Sequence, residues 1–331
     1  MKLVTFEVST AVGPVKRIGA LQGERIIDLN AAFGAYLAEV RESRRWREVA
    51  EALLPPEMLR FIETGPLAME SAHTAIEYAT RKGSEPGPDG TTLIHAANSV
   101  RLRAPVERPL SMRDSFVFET HARHSWERRG LSIPPLWYEI PQNYRTTHTS
   151  IAGPDDPIIW PSYSEKLDYE LEMAVCIGKY GIDIPPEKAD EYIFGYTIYN
   201  DVSARDTQFY ERPVNGAPVK GKNFVNSNIL GPCLVTADEL DASNLKMEAR
   251  VNGEVWSQGN TSDMYHKFPA IISYLSQGDA VHPGEFIGSG TPGFGCGLEL
   301  DRWIQPGDVV ELEIEGMGVL RNKVERPTKV S

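Results

Sequence analysis

The spacing of apolar positions along the chain changes character near residue 105. Residues 1–30 alternate in the manner of short strands, with a turn in "LQGERIIDL". Residues 31–82 carry two stretches of helical spacing, around "AAFGAYLAEVRESRRWREVAEALL" and "AMESAHTAIEYATRK". The run "GSEPGPDGTT" breaks this pattern, and a strand-like "TTLIHAANSVRLRAPV" leads to the expected boundary. The reading is an N-terminal β-rich domain with helices over 1–105 and a larger domain over 106–331. Residues 122–165, rich in Pro, Trp, Tyr and Thr with little periodicity, read as a long loop or lid, too aromatic for disorder. From residue 166 strands dominate: "DYELEMAVCIGK", "IFGYTIYND", "NILGPCLVT", "LKMEARVNGEVWSQG", "FIGSG" and "DVVELEIEGMGVLRNKV". Two short helices interrupt them, near "PPEKADEYI" and "KFPAIISYLSQG". "VNGEV" sets Asn-Gly between alternating flanks, a tight-hairpin signal. The fold class is therefore α+β and β-rich, closed or rolled, and not a doubly wound sheet.

Composition narrows the function classes. Acidic residues number 46 against 34 basic, for a net charge of −12. That balance argues against nucleic acid or an anionic membrane as the main partner. Cys176, Cys233 and Cys296 are widely spaced and read as buried free thiols of a reducing compartment. "MKLVTFEVST" lacks the apolar core of a signal peptide and no long apolar run follows, so a cytoplasmic protein is expected.

The chemistry begins at "LDYELEMAVCIGK", where Asp168, Glu170 and Glu172 stand two apart and share one face of a strand. An exposed face would explain solvated acids. This face continues instead as Ala174 and Cys176, so the carboxylates stand at the mouth of something apolar. Like charges held that way need a cation, or one of them stays protonated. In "IFGYTIYNDVSARDTQ" an apolar strand ends in Asn200-Asp201; beside Glu170 and Glu172, Asp201 becomes a third oxygen ligand. Carboxylates without His or Cys partners favour hard cations: Mg²⁺ first, with Mn²⁺ or Ca²⁺ as alternatives. "MRDSFVFETHARHSW" adds Asp114, a candidate to complete the shell, and His121, a candidate general base. His121 and His124 have the spacing of a zinc pair, but no third ligand is suggested. "GSGTPG" matches a dinucleotide fingerprint literally and opens no helix; it reads as backbone brought close to a ligand. No nucleophile-elbow serine motif occurs.

Taken in order, "DYELEMAVCIGK", "FGYTIYNDVSARDTQ", "GKNF", "FPAIISYLSQGDAVHPGEFIGSGTP" and "GLEL" resemble the fumarylacetoacetate hydrolase (FAH) family. The resemblance runs over about 111–121 and 166–322, and more loosely over the first hundred residues. It implies an FAH-type mixed β-roll catalytic domain with a smaller N-terminal β-domain carrying helices. Carried over by position, it implies metal carboxylates at Asp114, Glu170, Glu172 and Asp201, and a catalytic His121 partnered by Glu299. It places Arg205, Gln208, Lys222 and Thr291 against metal or substrate, the first two and Lys222 being candidate oxyanion donors. Where fumarylacetoacetase has Tyr, Tyr and Thr, this chain has Phe116, Arg212 and Asn226, so Phe116 and Arg212 become substrate-facing positions of its own. Arg145 and Arg212 are candidates for a second anionic group on the substrate.

The implied reaction is metal-assisted hydrolysis of a C–C bond in a 2,4-diketo acid or related β-diketone, with water activated by His121 and Glu299. Decarboxylation, isomerisation or hydration of a 2-oxo acid on the same site is the alternative. A non-catalytic, metal-stabilised dimeric scaffold is a further one. The expected partner is a small-molecule oxo acid, and a homodimer is implied by the resemblance.

Overall fold

The strand Leu171–Ile177 is buried at every position, so it needs cover on both faces. The computed structural model, which describes residues 1–327, supplies that cover from two different cores. Ala174 and Cys176 join Tyr199, Leu230 and Phe286 against the helical residues Phe33, Phe61 and Ala72. Met173, Val175 and Ile177 face Met247, Ala249, Val310 and Leu312 of a second, five-stranded sheet. Full burial of a side chain such as Phe61 is worth roughly 1.5–3 kcal/mol, so both layers hold the central strand.

The central sheet runs, in spatial order, through Ile94–Ala96, Arg25–Asp28, Gly13–Gln22, Lys2–Thr10, Asn228–Thr236, Ile193–Asp201, Leu171–Ile177, Phe286–Gly288, Met112–Ser115 and Asn143–Arg145. Its N-terminal strands are continuous with the rest, because Lys2 and Leu3 pair with Val235 and Leu234. The expected N-terminal segment therefore shares a sheet with the catalytic segment. Four helices cover it where sequence spacing suggested two stretches: Leu29–Glu39, Trp46–Leu53, Met58–Thr64 and Pro66–Lys82. The mixed α+β, strand-rich architecture is as expected.

Two local expectations change. Residues 122–165 are not a structureless lid: they finish the helix Glu119–Glu127 and supply the strand Asn143–Arg145. A helix, Arg205–Asn215, also follows the Ile193–Asp201 strand, although Pro213 lies within it. No helix of the described residues is long and apolar enough to cross a membrane.

Candidate metal and proton-transfer site

The ends of three strands, Met112–Ser115, Leu171–Ile177 and Ile193–Asp201, bring Asp114, Glu170, Glu172 and Asp201 together. One carboxylate oxygen from each lies within 4.8 Å of the others, and all four residues are buried. Their arrangement follows from register. Glu172 sits on the acidic strand opposite Tyr199, and Asp114 lies beside Gly288 in the parallel pairing. A Cβ at Gly288 would come within 2.4 Å of Asp114 Oδ1, so only glycine leaves that carboxylate its place. Gly290, with φ +77°, turns its N–H onto Asp114 Oδ1 at 3.2 Å and Glu172 Oε2 at 3.0 Å. The "GSGTPG" loop thus does bring backbone to the site, against carboxylates.

Two cations reach the cluster from the protein. Lys222 Nζ donates to Glu170 and, at 2.7 Å, to Asp201 Oδ2. Arg205 Nη2 donates to Glu170 Oε1 at 2.8 Å while its Nε donates to Asp168 Oδ2 at 2.8 Å. Burial opposes ionisation of Glu170, but Lys222 and Arg205 outweigh it and hold this carboxylate well below its ordinary range. Asp114 fares differently: burial, and then the Asp201 charge, push it up to about 7. Burial together with Asp114 and Glu170 pushes Glu172 well up. Glu172 Oε1 and Asp201 Oδ1 are buried and have no hydrogen-bond partner among the described residues; the hydroxyls of Thr291 and Ser115 are in the same condition. Unpartnered buried carboxylate oxygens facing one another fit a hard divalent cation, in number and in kind of ligand.

Next to this cluster stands a histidine–carboxylate pair. His121 Nδ1 and Glu299 Oε2 are 2.7 Å apart. Burial opposes the charge on Glu299, yet His121 and His124 hold its carboxyl down to about 2. The bond to an ionised carboxylate fixes the proton on Nδ1 and leaves Nε2 as the basic nitrogen. A ring nitrogen of His121 lies within 4.8 Å of a Glu170 oxygen, which joins the base to the carboxylate cluster. Cys296 shares that neighbourhood, but burial and Asp168 raise its thiol well above the ordinary value, so it stays protonated. Asp168, the first of the three spaced acids, is not part of the cluster. It accepts from Arg205 and from the backbone N–H of Gly297 and Leu298, at 2.8 and 3.0 Å, and so anchors the short helix Gly297–Leu300 that carries Glu299.

The pocket above these groups is lined by Phe116, Gln208, Arg212, Thr291, Lys222 and Tyr144. Phe116 packs edge-on to His121, with ring centroids 4.9 Å apart. Gln208 Oε1 accepts from Arg205 Nη1 at 3.0 Å. Arg205, expected as an oxyanion donor, spends its guanidinium on Asp168, Glu170 and Gln208, so the structure makes it a holder of the carboxylates. The Arg212 guanidinium lines the pocket without a hydrogen bond or ion pair among the described residues, and burial alone lowers its pKa.

Arg145 is corrected. It is exposed and paired with Asp279 at 2.8 Å, outside the pocket, because alternation along its strand sends Tyr144 inward and Arg145 outward. Tyr144 was the residue missed: its hydroxyl donates to Asp201. Asn226 also turns away, donating to Pro157 O at 2.9 Å.

A model of the fumarylacetoacetate (FAA) hydrolase C-terminal domain matches residues 116–325. The chain is 32% identical over 327 residues to the mitochondrial oxaloacetate tautomerase fahd2 of Xenopus laevis, covering 98% of this chain and 90% of that protein. It is 31% identical over 276 residues to the oxaloacetate tautomerase YisK of Bacillus subtilis, covering 82% and 87% respectively. Among solved structures, a fumarylacetoacetate hydrolase from Exiguobacterium antarcticum superposes with a TM-score of 0.70 at 27% identity, over 99% of this chain and 100% of that one. With the domain match spanning well over half its length, the chain belongs to the fumarylacetoacetate hydrolase family of enzymes.

Proposed function

We propose that this protein is a divalent-metal-dependent enzyme that isomerises a small 2-oxo acid of the oxaloacetate type between keto and enol forms. The observation that carries this reading is the junction of two units at Glu170. A buried carboxylate cluster with unpartnered oxygens meets an imidazole whose Nδ1 is held by Glu299. Relatives aligned over nearly the whole chain bear the name oxaloacetate tautomerase, which favours isomerisation over cleavage.

Asp114, Glu170, Glu172 and Asp201 would hold the cation, Mg²⁺ or Mn²⁺ by ligand chemistry. When bound, such an ion supplies orientation and Lewis acidity toward the carboxylate and keto oxygen of a 2-oxo acid. The chain's own residues do the rest. His121 Nε2 takes a proton from the carbon beside the keto group and returns one, while Glu299 stabilises the imidazolium in between. Phe116 walls the base from water, and Lys222 keeps Glu170 ionised while donating to Asp201. Gln208 and Thr291 line the space where the oxo-acid oxygens lie. Arg212 faces the pocket as a cation without a protein counter-charge, suited to a remote carboxylate.

Hydrolysis of a 2,4-diketo acid is the second reading. It is favoured by the same His121–Glu299 pair, which would activate water equally well, and by the likeness to the Exiguobacterium hydrolase. A panel of oxaloacetate and 2,4-diketo acids separates the two. Enol absorbance is followed with Mg²⁺ or with chelator, and products are then analysed for cleavage. Loss of enol signal with an intact carbon chain supports isomerisation, and two fragments from the diketo acids support hydrolysis. No metal-dependent change with any oxo acid would refute both.

A further inference from the structure

The His121–Glu299 pair has a third member that the mechanism above leaves unused. His124 lies three residues along the helix Glu119–Glu127, on the same face as His121. Its Nδ1 reaches the other oxygen of the shared carboxylate: His124 Nδ1 to Glu299 Oε1 is 2.7 Å, matching the 2.7 Å from His121 Nδ1 to Oε2. The side chains grade outward, with Glu299 2% exposed, His121 6% and His124 27%. The outer ring rests on Phe294, with centroids 4.7 Å apart, so packing holds it where its Nδ1 meets the carboxylate. The remaining groups around the triad are accounted for. The Cys296 thiol lies 3.6 Å from Glu299 Oε2, Glu170 faces His121 from the acidic strand, and Arg128 pairs with Asp301 at 3.2 Å on the rim.

We propose that His124 is a positioning residue for the base, acting through Glu299. A buried carboxylate bonded at one oxygen only can rotate about its last bond, and its whole charge is then available to one partner. With His124 donating to Oε1, the plane of the carboxylate is fixed and Oε2 is presented to His121 Nδ1. Part of its hydrogen-bonding capacity is also drawn away from His121. The arrangement thus trades some basicity at His121 Nε2 for orientation. This inference rests on the reading of His121 as the proton-transfer group.

The test uses metal-loaded wild type with H124F, which keeps a ring on Phe294 but removes the donor, and H124N, whose amide restores a donor near the Nδ1 position. Two readouts are taken. In wild type selectively labelled at histidine, NMR should show two ring N–H protons sheltered from exchange and sensitive to E299Q. In kinetics, H124F should lose about tenfold in kcat, the scale of one hydrogen bond to a charged group, with KM within about twofold. The acidic limb of its pH–rate profile should move upward by roughly half a pH unit, since Glu299 is left to His121 alone. H124N should recover most of kcat and return the limb to the wild-type position. The proposal is overturned if H124F keeps the wild-type kcat and profile, or if H124N is as impaired as H124F. It is also overturned if only one of the sheltered ring N–H protons of the wild type, set apart from those that His148 and His266 hold on backbone carbonyls, responds to E299Q. Wild type that turns over no oxo acid refutes the proposed function instead, and the ring N–H spectrum still decides whether His124 is bonded as described.

Discussion

Replacing Asp114 by Asn should make the metal-free protein more stable and the metal-loaded protein less so. Asp114 is buried and pushed up to about 7 by burial and by Asp201, against an ordinary carboxylate value near 4. Between those two values the folded protein keeps a proton that the unfolded chain has released, so stability falls as pH rises through that window. The loss is on the order of 4 kcal/mol once pH 7 is reached, at about 1.4 kcal/mol per pH unit. For a chain of this length that corresponds to about 5 °C in melting temperature. Asn cannot ionise, and its Oδ1 can still accept the Gly290 N–H, so the variant escapes the loss. It also removes one of the four carboxylates that would hold a cation. Scanning calorimetry in chelator at pH 5 and pH 8 should show the two proteins close together at pH 5 and D114N melting about 5 °C higher at pH 8. Saturating Mn²⁺ at pH 8 should then reverse the order, because only the wild type gains the full binding free energy. Equal melting at pH 8 in chelator, or equal stabilisation of both proteins by metal, would refute the electrostatic account.

The other expectations follow from single contacts. Lys222→Met leaves Glu170 and Asp201 without their ammonium, and should destabilise the protein by roughly 3–5 kcal/mol in denaturant titrations with chelator present. Gly288→Ala drives a methyl into Asp114 Oδ1 and should weaken Mn²⁺ binding by at least about tenfold in calorimetric titration, with little change in secondary structure. Arg212→Ala should raise KM by about tenfold or more for an oxo acid with a second carboxylate, and leave one without it nearly unaffected.

How far the sequence could be read depended on whether a feature was local. The acidic strand was legible because its acids and its apolar run share one segment, and Asp114, Asp201, His121 and Glu299 followed from ordered motifs. Tyr144 was not, since its contact with Asp201 depends on the pairing of Asp114 with Tyr144 inside a segment that shows no period. Arg145 was misplaced for the same reason: without the register, the inward member of the pair Tyr144–Arg145 could not be chosen. The helix Arg205–Asn215 escaped because it is mostly polar and contains Pro213. The first helical stretch divides between Glu39 and Trp46, and the further helix Met58–Thr64 lies outside both stretches, closed by Gly65 before Pro66 opens the next. Nothing local announces that Lys2 and Leu3 pair more than two hundred residues away, and so the continuity of the sheet appeared only in three dimensions.

The most direct test of the central claim is the decay of enol oxaloacetate in stopped flow, with Mg²⁺- or Mn²⁺-loaded wild type compared with His121→Ala. The account predicts metal-dependent acceleration by the wild type and a loss of about 10²–10⁴-fold in the variant, the range expected when a positioned acid–base group is removed. A variant that matches the wild type, or a wild-type rate indifferent to chelator, would contradict it.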